Sequence, residues 1–403
     1  MKYDLIVIGA GPAGMNAAIM AASYGANVAI IDENPEAGGK LLGQLHQESK
    51  GEWWNGRAVA GTLVEKVNQL EIDMFQGKEV WGIYPRWKVM VNSGEELQAE
   101  LILIAAGAAE KAIPAPGWTL PGVMGIGAAQ TLTNYHHVKP GQSVAIIGVD
   151  PLSLSVAQQL KMAGVNVVGI FLPPQSLFSK DKSNPTKMLT YLSSMSHAAP
   201  NKLLQAAGKV AQYSFIKKFG ASIFPRFGIG IWGTRLFLRK AVLEISGYEQ
   251  VESIKIAPID KDGTPNQNRV KIIDVDCVCI SGGLYPLIEL AGAVGCESVY
   301  VEELGGHIPL HNPEMETTQP GIFVAGNITG IESAKVAMAQ GELVGISVSS
   351  RLGLIEGDSA IHEAQKKVKE TRKNAAITFQ QHIDEGRKKS LRLWQKNRHH
   401  AKE

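Results

Sequence analysis

Cysteine is scarce in this sequence of 403 residues: there are only Cys277, Cys279 and Cys296, and none belongs to a Cys-x-x-Cys pair. This scarcity argues against a disulfide scaffold, a redox dithiol of that type and an obvious zinc or iron–sulfur site. Cys277 and Cys279 alternate within an apolar run, which is typical of buried strand residues. We therefore predict no metal site and expect a reducing, cytoplasmic location.

Long apolar runs are absent as well. None reaches the roughly 18 residues of a membrane-spanning helix, and the chain opens on a strand-like run, so we expect no signal peptide. The composition, 45% hydrophobic and 19% charged, is typical of an α/β protein with a sizeable core. The length allows two or three domains.

Acidic residues are missing from Lys182 to Leu243, a stretch with ten Lys and Arg. Within it, residues 209–240 interleave aromatic side chains with cations. We predict a basic helical insertion over about 175–243 whose aromatic residues pack inward and whose cations stay solvated. Contact with an acidic partner or a membrane surface stays open as the alternative; similar residues serve single-stranded nucleic acid, which we do not expect here.

The C-terminal end is basic too, with a formal charge of +7 over residues 360–403 against +2 for the whole chain. Apolar residues fall near helical spacing there. Residues 356–403 are therefore predicted to form a basic helical tail, either an amphipathic helix for a partner or a mobile tail.

What the sequence does contain is a strand–turn–helix–strand unit at its start. Leu5–Ile8 is a short apolar run typical of a buried strand, and it leads directly into Gly9-Ala10-Gly11-Pro12-Ala13-Gly14. A helical segment follows, and a second run, Val28–Ile31, ends on Asp32 and Glu33. This order of elements predicts a dinucleotide-binding turn.

Each glycine of this turn has a physical role. Gly9 permits the tight turn, Gly11 leaves room for a pyrophosphate, and Gly14 lets the helix pack closely on the strand. The helix begins at Pro12, which has no N–H group, and from Ala13 on its first residues offer free N–H groups to the phosphates. Asp32, with Glu33 as the competing choice, is the candidate acid for the ribose hydroxyls.

Three later segments are candidates for the same ligand. Gly39 and Lys40 follow the acids, and a Gly-Gly pair there lets the backbone pass close to a cofactor. Ala106 and Gly107 form a strand exit, and Gly326-Asn327 forms another. The helix expected from Ser333 can direct its N–H groups towards a flavin carbonyl.

A second unit of the same kind begins at Ser143, but its turn reads Gly148-Val149-Asp150-Pro151-Leu152-Ser153. Asp150 and Ser153 stand where the pattern needs glycine, and a carboxylate near a pyrophosphate is repelled. The strand after the helix ends without an acid for NAD or an arginine for NADP. The pattern thus predicts the fold of a nucleotide-binding unit and argues against NAD(P) binding.

These motifs, together with PGWTLPGVMGIGAAQTL (from Pro116), SGGLYPLIELAGAVGC and LGGHIPLHNPEMETTQPGIFVAGNITGIESA, resemble the two-domain flavoprotein disulfide reductases. More narrowly, they resemble the FAD-containing subunits of opine oxidase, hydrogen cyanide synthase and D-hydroxyproline dehydrogenase. The resemblance covers roughly residues 1–355.

The resemblance implies bound FAD and a second flavoprotein as the partner that oxidises a small amino acid or amine, with electrons often passing a two-iron cluster. It assigns FAD contacts to the turn glycines, to Asp32 or Glu33, and to four further residues: Val80 (adenine), Gly107, Gly326 and Asn327 (ribityl chain). Three features depart from the family pattern: Asn327 replaces an Asp, Lys40 replaces a Gln, and the tail has no cysteine, so any iron–sulfur cluster must come from another subunit.

We therefore predict an α/β fold of two Rossmann-like domains. The FAD domain comprises residues 1–115 and 285–355, interrupted by a degenerate nucleotide-binding domain at 116–284. The predicted function is the electron-transferring FAD subunit of an amino-acid or amine dehydrogenase complex, and no catalytic acid, base or nucleophile is assigned. Two alternatives stay open: a stand-alone NAD(P)H-dependent flavin reductase, and a flavin-bearing scaffold subunit.

Overall fold

The computed structural model describes residues 2–48, 51–194, 224–356, 358–375, 377–380 and 382–400. The strands are β1 (Lys2–Ile8), β2 (Val28–Asp32), β3 (Leu45–Gln47), β4 (Trp53–Asn55), β5 (Asp73–Gln76), β6 (Val80–Tyr84), β7 (Lys88–Val91), β8 (Glu96–Ile104), β9 (Ala108–Glu110), β10 (Val123–Gly125), β11 (Ser143–Ile147), β12 (Asn166–Leu172), β13 (Ile229–Ile231), β14 (Thr234–Ser246), β15 (Ser253–Pro258), β16 (Lys271–Asp274), β17 (Cys277–Ile280), β18 (Leu284–Pro286), β19 (Ser298–Val301), β20 (Gly306–Pro309) and β21 (Ile322–Val324). The α-helices are α1 (Pro12–Ser23), α2 (Gly56–Gln69), α3 (Ile126–Asn134), α4 (Pro151–Met162), α5 (Pro185–Ser194), α6 (Glu289–Ala293), α7 (Ala334–Arg351), α8 (Asp358–Lys373) and α9 (Ile383–His400).

The chain divides into two compact units by its internal contacts. Unit 1 comprises Met1–Leu42, Asn55–Ala109 and Leu284–Glu403, and unit 2 comprises Gly43–Trp54 and Glu110–Gly283. The chain thus leaves unit 1 twice and returns to it twice.

Unit 1 is built on a seven-stranded sheet in the order β5-β2-β1-β8-β7-β6, with β21 also paired to β8. β1 runs parallel to β2 and β8, and β21 runs parallel to β8. Leu5, Ile6 and Val7 are fully buried, as expected for a parallel strand covered on both faces. Helices α1 and α7 pack against each other.

Unit 2 contains an eight-stranded sheet in the order β10-β17-β11-β12-β14-β15-β16, with β13 paired to β14. The first five strands are parallel, and β14, β15 and β16 are antiparallel. Cys277 and Cys279 lie in β17 and are fully buried. Their prediction as core residues is therefore confirmed, and so is the α/β class with two Rossmann-like sheets.

The prediction of a helical insertion over 175–243 is wrong in its last part. Helix α5 lies inside it, but β13 and most of β14 follow, and residues 195–223 lie outside the described ranges. In β14, Leu236, Leu238 and Ala241 are buried, and branched and aromatic side chains suit a pleated surface. The absence of acidic residues carried no information about secondary structure.

The C-terminal tail is helical, as predicted, and its described helices pack within unit 1. Helix α8 contacts α7, and α9 contacts β19. Ile361, Ala364 and Val368 of α8 and Trp394 of α9 are buried. Within the described ranges, no helix has the length and apolar character needed to cross a bilayer.

Candidate functional site

The glycine turn between β1 and α1 is pressed tightly onto the sheet. Gly9 has φ +107°, and a Cβ built there would lie 2.6 Å from the carbonyl oxygen of Ala105. A Cβ on Gly14 would lie 1.9 Å from the carbonyl oxygen of Gly9. Both positions therefore require glycine, for the conformation at Gly9 and for the close helix–strand contact at Gly14.

Gly11 occupies an open position in the same turn. It is the N-cap of α1, makes no side-chain cap, and a Cβ built on it would have no atom within 4 Å. The first turn of α1 carries no acidic residue, and Pro12 begins the helix. The N–H groups of Ala13 and Gly14 therefore belong to a helix start that is electropositive and has no side-chain cap. This environment fits a diphosphate.

The predicted Gly-Gly segment lies against this opening. Gly38 N donates to Ala10 O at 2.9 Å, and a Cβ on Gly39 would lie 3.2 Å from the Cα of Gly11. Lys40 follows with an exposed side chain. The segment thus forms one wall beside the uncapped helix start.

The two candidate ribose acids differ in their surroundings. Asp32 is only 7% exposed. Its Oδ2 accepts from Ala10 N at 2.6 Å, and its Oδ1 accepts from the backbone and side-chain nitrogens of Asn34 at 2.8 and 2.9 Å. Asp32 therefore ties the glycine turn to the end of β2, whereas the side chain of Glu33 is exposed.

Two further candidate segments lie along the same edge of the unit 1 sheet. After β8, Ala105 N donates to Ile8 O at 2.8 Å, which places Ala106 and Gly107 directly beyond the glycine turn. Val80 begins β6, shortly after Lys78, whose N–H donates to Asp32 O at 2.9 Å.

The Gly-Asn turn reaches the site from the C-terminal part of unit 1. A Cβ on Gly326 would lie 2.9 Å from the Cβ of Ala13 in α1. Asn327 is half-buried, and its Oδ1 accepts from Glu332 N at 3.1 Å. The amide oxygen thus closes the loop that leads into α7. The structure therefore brings residues 9–14, 32, 39 and 326 together around one opening.

Sequence reasoning missed the residues that hold this loop. Gly326 N donates to Gln340 Oε1 at 2.8 Å, and the Glu332 carboxylate is bound by Arg372 and Arg387 of the tail helices. Burial raises the pKa of Glu332, but the two guanidinium groups outweigh it, so this pKa lies below its ordinary value. No motif marks these residues, because they come from elements far apart in sequence.

The second glycine turn, between β11 and α4, is closed by its own side chains. Ser153 N donates to Asp150 Oδ1 at 2.8 Å, and Asp150 N donates to Ser153 Oγ at 2.9 Å. Ser281 Oγ donates to the other carboxylate oxygen of Asp150 at 2.7 Å. This capping box satisfies the helix start internally.

A lysine adds to this closure. The ammonium group of Lys182 donates to the carbonyl oxygen of Gly282, next to Ser281. Burial lowers the pKa of Lys182, and the nearby Asp150 carboxylate opposes that shift. The chain itself thus places a carboxylate (Asp150) and an ammonium group (Lys182) at the second turn.

The chain is similar to several known proteins. The model of the pyridine nucleotide-disulphide oxidoreductase family matches residues 3–190 and 233–341. An opine oxidase subunit of Agrobacterium tumefaciens is 29% identical over 372 residues, which cover 88% of this chain and 66% of that protein. Hydrogen cyanide synthase subunit HcnB of Pseudomonas protegens is 26% identical over 377 residues, which cover 91% of this chain and 74% of that protein. The chain thus spans about two thirds of the length of the opine oxidase subunit.

Solved structures share the fold at lower identity. L-proline dehydrogenase from P. horikoshii matches with a TM-score of 0.65 at 21% identity, over 92% of this chain and 59% of that chain. Thioredoxin reductase from T. acidophilum matches with a TM-score of 0.62 at 20% identity, over 87% of this chain and 99% of that chain. The family match covers most of the chain, and with it the predicted class, an FAD-dependent oxidoreductase, is confirmed. The chain belongs to the pyridine nucleotide-disulphide oxidoreductase family.

Proposed function

We propose that this chain is the FAD-binding, electron-transferring subunit of a complex that oxidises an amino acid or a related amine. The observation that carries the proposal is the contrast between the two glycine turns: the first is uncapped at Gly11, and the second is filled by Asp150 and Ser153. The names of the relatives support it, since one is named as a subunit of opine oxidase and the other as a subunit of hydrogen cyanide synthase.

FAD would be held entirely by residues of unit 1. The uncapped start of α1 would bind the diphosphate, with Gly39 and Lys40 beside it, and the Gly326-Asn327 turn would bind the ribityl chain. The further proposed contacts are Val80, Ala106 and Gly107. The flavin supplies the two-electron redox chemistry when bound, and the protein contributes binding, orientation and electrostatics.

We assign the ribose contact to Glu33 rather than Asp32. Both oxygens of Asp32 already accept backbone N–H groups of Ala10 and Asn34, so its carboxylate serves the turn itself. Glu33 stands next to it with an exposed side chain. Asp32→Asn is expected to destabilise the turn, whereas Glu33→Gln is expected to weaken FAD binding with little effect on folding.

NAD(P) has no proposed place in this mechanism. A dinucleotide at the second turn would have to displace the Asp150 cap and meet its negative charge. Electrons would therefore enter from a second flavoprotein that oxidises the substrate, and they would leave through an acceptor or an iron–sulfur subunit. The stand-alone NAD(P)H-dependent reductase is the rival function, and rapid flavin bleaching at about 450 nm on adding NADH would favour it.

The proposed FAD site is tested by Gly11→Ala. The Cβ would meet no protein atom within 4 Å, and the φ of −77° suits alanine, so the apoprotein should fold normally. The methyl group would nevertheless occupy the space proposed for the diphosphate. We expect FAD affinity to fall about tenfold or more, since binding depends on close backbone approach.

Gly61→Ala is the matched control, because Gly61 lies in α2 and its Cβ would also meet nothing within 4 Å. FAD is titrated into flavin-free protein and followed by flavin fluorescence, with unfolding measured in parallel. Equal FAD affinity in both variants would refute the diphosphate site. Co-purification of a second flavoprotein, with substrate turnover only in the complex, would support the subunit role, and turnover by the lone chain would contradict it.

A further inference from the structure

A buried ion cluster connects the tail helices to the loop after the Gly-Asn turn. Glu332 lies in this loop, and its side chain is only 6% exposed. Arg372 of α8 donates through Nη2 to Oε2 at 3.2 Å and through Nε to Oε1. Arg387 of α9 also donates to Oε2. The side chains of the two arginines are 14% and 13% exposed.

Hydrogen bonds continue from this cluster to both backbone groups of Gly326. Gln340 Nε2 donates to Glu332 Oε2 at 3.4 Å, and Gln340 Oε1 accepts from Gly326 N at 2.8 Å. Thr329 Oγ1 donates to Gly326 O at 2.9 Å, and Arg387 Nη1 donates to Thr329 O at 2.7 Å. Two chains of hydrogen bonds therefore lead from the tail to one glycine.

The tail has other means of attachment to unit 1. Ile361 and Val368 of α8 are buried, and Lys367 pairs with Glu342 of α7 at 2.5 Å on a more exposed surface. Burying two guanidinium groups is costly unless they are paired. Because apolar packing already attaches the helices, the cluster's distinct consequence is the fixed shape of the loop from Gly326 to Glu332.

We propose that Arg372 and Arg387 are positioning residues of the FAD site, so that the C-terminal tail fixes the Gly326-Asn327 turn in its FAD-binding shape. This inference rests on the proposed function, in which that turn holds the ribityl chain. It assigns the tail an intramolecular role in cofactor retention. Neither arginine is proposed to contact the flavin.

The test compares Arg387→Met with Lys367→Met, which removes an ion pair of the same tail outside the cluster. Flavin-free protein is titrated with FAD, and amide hydrogen exchange is followed in the flavin-free state. We expect FAD affinity to fall about ten- to a hundredfold in Arg387→Met, by analogy with the range seen when groups that orient the ligands of a metal ion are lost. Exchange should accelerate at residues 326–332 while that of residues 361–368 stays slow. Lys367→Met should change neither.

Arg387→Lys covers the case in which the methionine variant does not fold. It retains the charge but loses the fork that reaches both Thr329 and Glu332. Its FAD affinity should therefore lie between that of the wild type and that of Arg387→Met. If only the lysine variant folds, we expect its FAD affinity to be roughly threefold to tenfold below that of the wild type. Unchanged FAD affinity in a folded arginine variant, with wild type binding FAD, would overturn the inference. Failure of the wild type itself to bind FAD would instead refute the proposed function.

Discussion

The two glycine turns share one backbone plan, but two of the three glycines of the pattern are replaced in the second turn, by Asp150 and Ser153. Gly9 and Gly148 both have φ +107°, and each would place a Cβ against the carbonyl oxygen of a neighbouring strand exit. α1 and α4 each span 12 residues and begin with proline. The N-cap, however, is Gly11 in the first and Asp150 in the second. A nucleotide-binding fold is thus separable from a nucleotide-binding site.

The two turns differ in the source of the negative charge at the start of the helix. In the second turn a carboxylate of the chain satisfies the N–H groups and the helix dipole. In the first turn the N-cap residue, Gly11, has no side chain to do so, and the proposed ligand, a diphosphate, would supply that charge. The first turn is therefore expected to gain stability from its ligand, and the second is expected to have that stability built in.

The largest expected effect comes from copying the second turn into the first. Gly11→Asp places a carboxylate at the proposed diphosphate position, and we expect FAD affinity to fall at least about a hundredfold through repulsion and occupied N–H groups. Fluorescence titration of flavin-free protein measures the loss. Gly11→Asn, of the same size but neutral, should lose less affinity. Equal losses would show that charge is irrelevant, and no loss in either would contradict the site.

Removing the cap of the second turn should affect stability instead. Asp150→Ala deletes the capping box and the bond from Ser281, and we expect the free energy of unfolding to fall by about 1–3 kcal/mol. Denaturant unfolding measures the change, and Asp150→Asn, which keeps an acceptor, should lose less. FAD affinity should stay within about twofold, since independent sites rarely couple. A large loss of FAD would contradict the separation of the two turns.

A smaller, pH-dependent effect is expected in unit 1. Burial lowers the pKa of His311 to about 4, opposed by a bond to the carbonyl of Asn312 and aided by the charges of Arg387 and Arg372. The unfolded chain then binds a proton more readily than the folded chain below about pH 6.5, so folding stability falls as the pH drops towards 4. At pH 5.5 the expected loss is about 1.2 kcal/mol relative to pH 7.

His311→Gln removes the group whose protonation drives this loss. The difference in stability between pH 7 and pH 5.5, measured by urea unfolding, should therefore shrink in the variant. A variant that keeps the full pH dependence would assign that dependence to other groups.

The glycine turns were predictable because local sequence carries their signal. In each unit, a segment of about thirty residues is enough to show whether glycine recurs at fixed spacing after an apolar strand. Such a segment also shows the loss of glycine at Asp150. The sequence favours Asp32 over Glu33 as the ribose acid, whereas our proposal of Glu33 rests on backbone N–H groups that only the folded turn presents. The prediction of a helical insertion fails at β14 because charge composition carries no information about the alternation of buried and exposed residues that marks a strand.

The ion cluster was not predictable from the sequence. Glu332 and Arg387 are separated by 55 residues, and the tail arginines were indistinguishable from other cations in a basic segment. Their partner choice depends on how α8 and α9 pack within unit 1. The ion pairs of this cluster depend on tertiary structure, which a local sequence pattern does not indicate.

The most direct test is to titrate flavin-free wild-type protein with FAD and, separately, with NADH by calorimetry. We predict saturable binding of one FAD per chain, which gives the yellow holoprotein, and no detectable binding of NADH. A chain that stays colourless with FAD, or that binds NADH with its second turn intact, would contradict it.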